Sequence, residues 1–274
     1  LELFAQMLVN LRLRAQAAAQ VREMTEQLEH KVEERTRQLN ESVQRLQTVN
    51  RELESFTYSA SHDLRTPLRG IEGFSTLLLD EHADQLDEQG HEYLRRIQRA
   101  TLHMSQLVND LLAYSHLQQL TGHSESVALR ACVQNVATPF RDELEARQGQ
   151  LSVAMSDDLR VQANPKGLAI VLRNLIDNAL KFTPASDAPR VRIEALAEGD
   201  RVRLSVSDQG IGFDMKYHDR IFGMFQRLHR QDQIPGTGIG LALVQKAVER
   251  MGGQIRAESA PGQGATFYLD LPRA

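Results

Sequence analysis

A seven-residue repeat constrains this chain more than any other feature. From Leu28 onward, apolar residues recur at alternating spacings of four and three: Val32, Leu39, Leu46, Leu53 and Ala60 occupy one seam position, and Leu28, Val49 and Phe56 the other. A stripe that recurs every ~3.5 residues is buried when helices wind around one another, so the pattern predicts a long helix in a two- or four-stranded assembly. Arg35 and Ser42 fall on the second seam position and weaken the coil there. Upstream, Phe4, Leu8 and Leu11 keep a register that does not run smoothly into the later one, a phase break that changes supercoiling locally. The surrounding residues are mostly Gln, Glu, Arg, Leu and Ala, which lose little freedom in a helix.

The coil leads into a second helical pattern. One helix is predicted over residues 52–80, a polar turn over 81–89 that ends at Gly90, and another helix over 92–120. The second helix aligns Leu94, Ile97, Thr101, Met104, Val108, Leu111 and Leu112 on one face. Two such helices make an antiparallel hairpin, and two paired chains make a four-helix bundle. Residues 121–124 read as a short linker. Beyond Ser126 the character turns to mixed α/β. A helix is predicted over 168–182, a strand hairpin over 191–196 and 202–208 around Glu198-Gly199-Asp200, a helix over 239–251, and closing strands over 254–259 and 265–271. The expected architecture is a coiled helix and hairpin followed by an α/β layer domain of about 150 residues.

Composition narrows the function classes. The 274 residues carry a formal net charge of −4, which excludes bulk nucleic-acid binding and a polybasic membrane anchor. No apolar run approaches the ~18–20 residues that span a bilayer, and no signal segment opens the chain. Cys132 is the only cysteine, so internal disulfides and multi-cysteine metal sites are excluded. The expected compartment is the cytoplasm.

Residues 59–68 read Ser-Ala-Ser-His-Asp-Leu-Arg-Thr-Pro-Leu. On a helix, His62 and Thr66 share a face and Asp63 lies one step round, while Pro67 removes a backbone donor and is expected to bend or loosen the helix. An exposed, oriented imidazole suits a nucleophile. Three further motifs follow in the α/β half. Asn174 and Asn178 stand at i and i+4, with Lys181 and Phe182 just beyond. Amide oxygens are hard neutral ligands for a magnesium ion that keeps its waters and phosphate oxygens, and Lys181 adds charge for phosphates. Asp208, with Gly210 and Gly212, offers a carboxylate acceptor for an exocyclic amine beside permissive glycines. Gly236-Thr237-Gly238-Ile239-Gly240-Leu241 precedes a helix and offers backbone donors to an anion. Neither a Walker-type loop nor a dinucleotide fingerprint is present.

In this order, the motifs resemble the kinase core of the sensor histidine kinases of two-component signalling, from about Arg51 to the C-terminus. Residues 56–74, 221–228 and 237–253 are most similar to the phytochrome-like subgroup. The resemblance implies a signalling coiled coil over 1–50 that leaves a sensory domain absent from this chain, a dimerisation and phosphotransfer hairpin over 51–121, and an ATP-binding domain of the histidine kinase/gyrase type over 125–274. It implies that His62 takes the γ-phosphoryl of ATP, that Asp63 orients the imidazole and accepts its proton, and that Thr66 positions water in dephosphorylation of the partner. Asn178 would ligate Mg2+ with Asn174 beside it, Lys181 would contact phosphates and Phe182 would pack near the nucleotide. Asp208 would bind the adenine amine, Gly210 and Gly212 would shape that wall, and residues 222–238 would form a lid over the phosphates. Arg227 and Arg230 would neutralise transferring charge, and Thr266 would place a hydroxyl near adenine. The implied partners are a second copy of the chain and the receiver domain of a response regulator.

Competing readings differ at identifiable residues. The related gyrase, mismatch-repair and chaperone ATPases carry a glutamate base where this chain has Asn174, and asparagine cannot deprotonate water. A dimeric scaffold that binds ATP without transferring it, or a protein biased toward regulator dephosphorylation, keeps the same nucleotide motifs.

Overall fold

The computed structural model describes residues 2–119, 124–228, 234 and 236–274; several side chains within the helices, that of His62 among them, lie outside the description. The chain falls into two units, 1–56 and 57–274. Helix α1 (Glu2–Glu81) supplies the described residues of the first unit and the first helix of the second. In the first unit the heptad residues Leu28, Val32, Leu39, Leu46 and Val49 are each more than half exposed, so a single chain leaves these seam positions uncovered.

In the second unit, α1 pairs with α2 (Glu88–Gln119). Arg65 Nη2 donates to Asn109 Oδ1 (3.2 Å) and Gln98 Nε2 to Thr76 Oγ1 (3.3 Å), two links placed symmetrically about Asp87, as antiparallel helices require. Leu68, Val108 and Leu112 form the buried seam between them. Helix α1 runs through Pro67, as the predicted helix over 52–80 does; proline forfeits one intrahelical bond there, and the buried Leu68 holds the next residue in place. One expectation needs correction. The second helix starts at Glu88, earlier than the sequence predicts, and Gly90 lies in its first turn. Asp87 Oδ1 accepts from the Gly90 amide (2.7 Å), an N-cap that makes Gly90 a helical residue and not the end of the turn. The linker predicted over 121–124 lies outside the described residues except for Ser124.

The α/β part opens with β1 (Glu125–Ala128), α3 (Leu129–Ala137), α4 (Arg141–Ala146), β2 (Gln150–Ala154) and β3 (Arg160–Ala163). It continues with α5 (Pro165–Lys181), β4 (Arg190–Glu198), β5 (Arg201–Ser207), the short α6 (His218–Ile221), α7 (Gly240–Arg250), β6 (Gln254–Ser259) and β7 (Ala265–Pro272). β1 and β3 form a small antiparallel pair; the main sheet has the order β2-β4-β5-β7-β6, parallel only between β2 and β4. β5 and β7 alternate strictly between buried and half-buried positions, so one face of the sheet lies under helices. The six predicted elements of this region are all present, each within three residues of its expected ends.

Helix α5 is the centre of this layer. Asn164 caps it by accepting from the Gly167 amide (3.0 Å), and Pro165 takes the first turn, where no amide hydrogen is needed. Leu168, Val171, Leu172, Leu175, Ile176, Ala179 and Leu180 are buried at helical spacing against α3, α7 and the sheet. At its far end the Arg147 guanidinium donates to the carbonyls of Leu180 (2.9 Å), Thr183 (3.0 Å) and Pro184 (3.1 Å), satisfying groups that the helix leaves open. Leu172→Ala, at a fully buried position, is expected to lower unfolding free energy by about 2–5 kcal/mol in urea denaturation.

Candidate functional site

The face of α5 opposite its buried stripe lines a cavity of about 170 Å³. Asn174, Asp177, Asn178 and Lys181 project there, with Phe182 just past the helix end. They share a side because they recur at three- and four-residue spacing. Asn174 Nδ2 donates to the Ile170 carbonyl (2.8 Å), which directs its oxygen toward the start of α7. A β-carbon at Gly240 would lie 2.7 Å from that oxygen, so a larger residue there would push the Asn174 amide aside.

The loop after β5 forms a second wall. Asp208 is half-buried, and its Oδ1 accepts from the amides of Gly210 (2.8 Å) and Ala265 (3.2 Å). Both bonds fall on one oxygen; among the described residues no donor is assigned to Oδ2. Burial raises the Asp208 carboxyl above the ordinary range, and the two amides offset this only in part. Gly212 has φ +61°, and a β-carbon there would sit 2.1 Å from the Ala260 carbonyl. It therefore combines left-handed backbone with a packed turn that only glycine accommodates. Gly210 does not line the cavity; it packs on the Phe182 carbonyl and, with Ile211 N–H donating to the same oxygen (3.0 Å), pins the loop to the end of α5.

A third wall comes from Arg227, Ile234, Gly236, Thr237, Gly238, Gly240 and Leu241. Arg227 donates to the Ile234 carbonyl (2.6 Å) and thereby folds this segment back on itself. Residues 229–233 and 235, including the predicted Arg230, lie outside the described residues.

Two cations, Lys181 and Arg227, line the cavity. Burial lowers the Lys181 pKa, as does Arg227, while Asp177 and Asp110 favour its charged form. Its ammonium also lies 5.1 Å from the centre of the Phe182 ring. Asp177 and Asp110 are both raised, chiefly by loss of hydration, with Lys181 opposing.

Sequence reasoning missed the apolar lining residues Phe213, Ile221, Ala265 and Phe267 and three charged or polar ones, Asp177, Gln106 and Asp110. Asp177 sits inside the asparagine motif and could have been read from its i−4 spacing to Lys181. Gln106 and Asp110 belong to α2, and no sequence signal links them to this cavity. Conversely, Thr266 is not brought to it. Strand alternation places Ala265 and Phe267 on the cavity side, while Thr266 Oγ1 bonds to Ser207 Oγ (3.0 Å) on the neighbouring strand. Asp63 and Thr66 are exposed on α1 and do not line the cavity; the His62 side chain lies outside the described residues.

Comparison with known proteins finds two family matches. Residues 52–120 match the family described as His Kinase A (phospho-acceptor) domain, and residues 163–274 the family described as Histidine kinase-, DNA gyrase B-, and HSP90-like ATPase. Cyanobacterial phytochrome A of Nostoc sp. is 36% identical over 83% of this chain and 29% of its own length. The circadian input-output histidine kinase CikA of Synechococcus elongatus is 34% identical over 94% of this chain and 35% of its own length. The chain thus spans about a third of the length of these curated relatives. A crystal structure of full-length ShkA in complex with AMPPNP is similar with a TM-score of 0.62 and 29% identity, over 80% of this chain and 46% of that one.

Asp208→Asn keeps the Oδ1 acceptor and removes a charge that burial disfavours. A carboxyl whose folded pKa is raised loses stability as pH rises from its unfolded value through its folded one. The variant is therefore expected to melt at or above the wild-type temperature at neutral pH. The difference should shrink as pH falls through the raised range of Asp208, as read by thermal denaturation across a pH series.

Proposed function

Since this chain belongs to the sensor histidine kinases, we propose that it uses ATP to phosphorylate His62 and passes the phosphoryl group to an aspartate on the receiver domain of a response regulator. The observation that carries this reading is the convergence of an amide pair, a lysine, a half-buried carboxylate and a glycine loop on one cavity, in a chain whose hairpin bears His62-Asp63. We read the chain as three parts: a signalling coil over 1–50, a phosphotransfer hairpin over 51–121 and an ATP-binding domain over 125–274. The exposed seam of the coil, together with exposed Ile71, Phe74, Leu77 and Leu78 on α1 of the hairpin, supports pairing with a second copy. Among the described residues no helix is long and apolar enough to cross a membrane. ATP as donor sets the reaction in the cytoplasm.

Each wall has a distinct task in this mechanism. Asp208 Oδ2 accepts from the adenine amine, and the loop of Gly210 and Gly212 holds that carboxylate in place. Lys181, the amides of Gly236, Gly238 and Gly240, the Thr237 hydroxyl and Arg227 meet the phosphates, with Leu241 behind them. The fit of the site to a metal follows from its donors. Among the described residues no cluster of three acidic, His or Cys ligands is present, so a cation here relies on neutral amide oxygen and on the nucleotide itself. That donor set suits Mg2+ better than zinc or calcium, with Asn178 as protein ligand and Asn174 beside it. Bound there, Mg2+ neutralises phosphate charge. One imidazole nitrogen of His62 attacks the γ-phosphorus, the bond to the bridging oxygen breaks, and ADP leaves with the electron pair. The proton of the attacking ring passes to Asp63, which holds the other nitrogen in position. The reverse traffic uses Thr66 to position water for dephosphorylation of the regulator.

Incubation with magnesium and γ-labelled ATP tests the reading. Label that survives alkali and is lost in acid is expected on the wild type and absent from His62→Ala, which should still bind ATP. Asn178→Ala is expected to lose Mg-ATP binding and label together. Label that persists in His62→Ala would sink the assignment.

A further inference from the structure

Helix α2 serves two partners with two faces. Val108 and Leu112 face α1, whereas Leu107 and Tyr114 pack against the core of the α/β part. Asp110 lies between Leu107 and Tyr114 in the helical repeat and therefore points the same way. Its Oδ2 accepts from Thr237 Oγ1 at 2.5 Å, a short, charge-assisted bond to a threonine that is only 8% exposed. The Thr237 oxygen in turn accepts from the Ile239 amide at the start of α7 (3.3 Å). The hairpin thus delivers a carboxylate into the middle of the glycine loop, among Gly236, Gly238 and Gly240, in a cavity that Lys181 and Arg227 also line.

We propose that Asp110 is an affinity-setting residue for the nucleotide, an internal anion that holds the Thr237 hydroxyl and glycine loop against the hairpin and competes there with the phosphates of ATP. The inference rests on the reading of the cavity as an ATP site. The loop, the Thr237 hydroxyl and Lys181 are the groups that a polyphosphate needs, and Asp110 already engages the first two and offsets the charge of the third. A phosphate arriving beside an ionised carboxylate in a partly desolvated cavity is repelled. Binding ATP therefore requires Asp110 to give up Thr237, which opposes nucleotide occupancy to this contact between hairpin and α/β part. Asp177 also bears on Lys181, but it belongs to the same helix as the asparagines and cannot be withdrawn by movement of α2. Adenosine carries no phosphate and does not meet this competitor.

Calorimetric titration of the full chain and of Asp110→Asn with Mg-ATP and, separately, with adenosine tests this. Asparagine preserves size and an acceptor oxygen but removes the charge; Asp110→Ser serves as a second variant, and thermal melting checks that both fold. The expected result is an Mg-ATP Kd lower by about tenfold in Asp110→Asn, with adenosine affinity unchanged. Equal Mg-ATP affinity in wild type and both variants overturns the proposal. So does a tightening of adenosine by the same factor, which would make the contact a simple obstruction of the cavity. Failure of the wild type and both variants to bind either ligand overturns the ATP reading itself, whereas Mg-ATP binding by the variants alone supports both.

Discussion

The burial of one stripe of α5 is the constraint on which the rest of the α/β part depends. Its leucines, valine and isoleucine sit between α3, α7 and the sheet, and several have no exposure at all. Moving the helix by one residue would rotate it by about 100° and bring Asn174, Asn178 and Lys181 into the apolar layer, where unpaired polar groups cost several kcal/mol. The orientation of the functional face is therefore set by the hydrophobic effect acting on the opposite face. Local chemistry then trims the ends: Asn164 and Pro165 define where the helix begins, and Arg147 closes its last turn. The loop carrying Asp208 is registered to this same end through the Phe182 carbonyl. Two walls of the cavity thus share one reference point.

How far this was readable in the sequence depended on how local each signal was. The helices and strands of the later half announce themselves by short-range periodicity, and Gly199-Asp200 marks its hairpin turn without help from distant residues. The motifs around Asn174, Asp208 and Gly236 were readable because their residue types are chemically specific. Residues 125–163 were not resolved into elements in advance, since β1, α3, α4, β2 and β3 are short and their pairing is non-local. Asp87 as a helix cap was hidden by the usual association of Gly90 with a turn. Thr266 shows a different dependence: the strand was placed correctly, but which of its faces meets the cavity depends on what packs above it. Asp110 lay beyond sequence reasoning entirely, because its role arises from the docking of a helix more than a hundred residues away from Thr237.

The cavity sets the cations Lys181 and Arg227 among the carboxylates of Asp110, Asp177 and Asp208. One lysine whose charge is disfavoured by burial, flanked by two carboxylates raised by the same cause, is an arrangement poised to be rebalanced by an incoming charged ligand and its cation. Surface ion pairs on the open sheet face, such as Arg203 with Asp270, are solvated and contribute little by comparison.

Asn174 bears most directly on the kind of chemistry. At this position the related ATP hydrolases place a glutamate that takes a proton from water. Here the side-chain nitrogen is committed to the Ile170 carbonyl, and the oxygen faces a glycine at the start of α7. An amide so held can neither accept a proton at neutral pH nor swing to present a base, since turning it would break a bond to the helix backbone. With no carboxylate at that position, the proposed reaction needs a nucleophile from outside the cavity. The hairpin supplies an imidazole motif on α1, and its other helix, α2, already reaches the cavity rim through Gln106 and Asp110. On the proposed reading, a site that holds ATP without hydrolysing it, next to a helix pair that bears the acceptor, gives the division of labour that a phosphoryl transfer between protein parts requires.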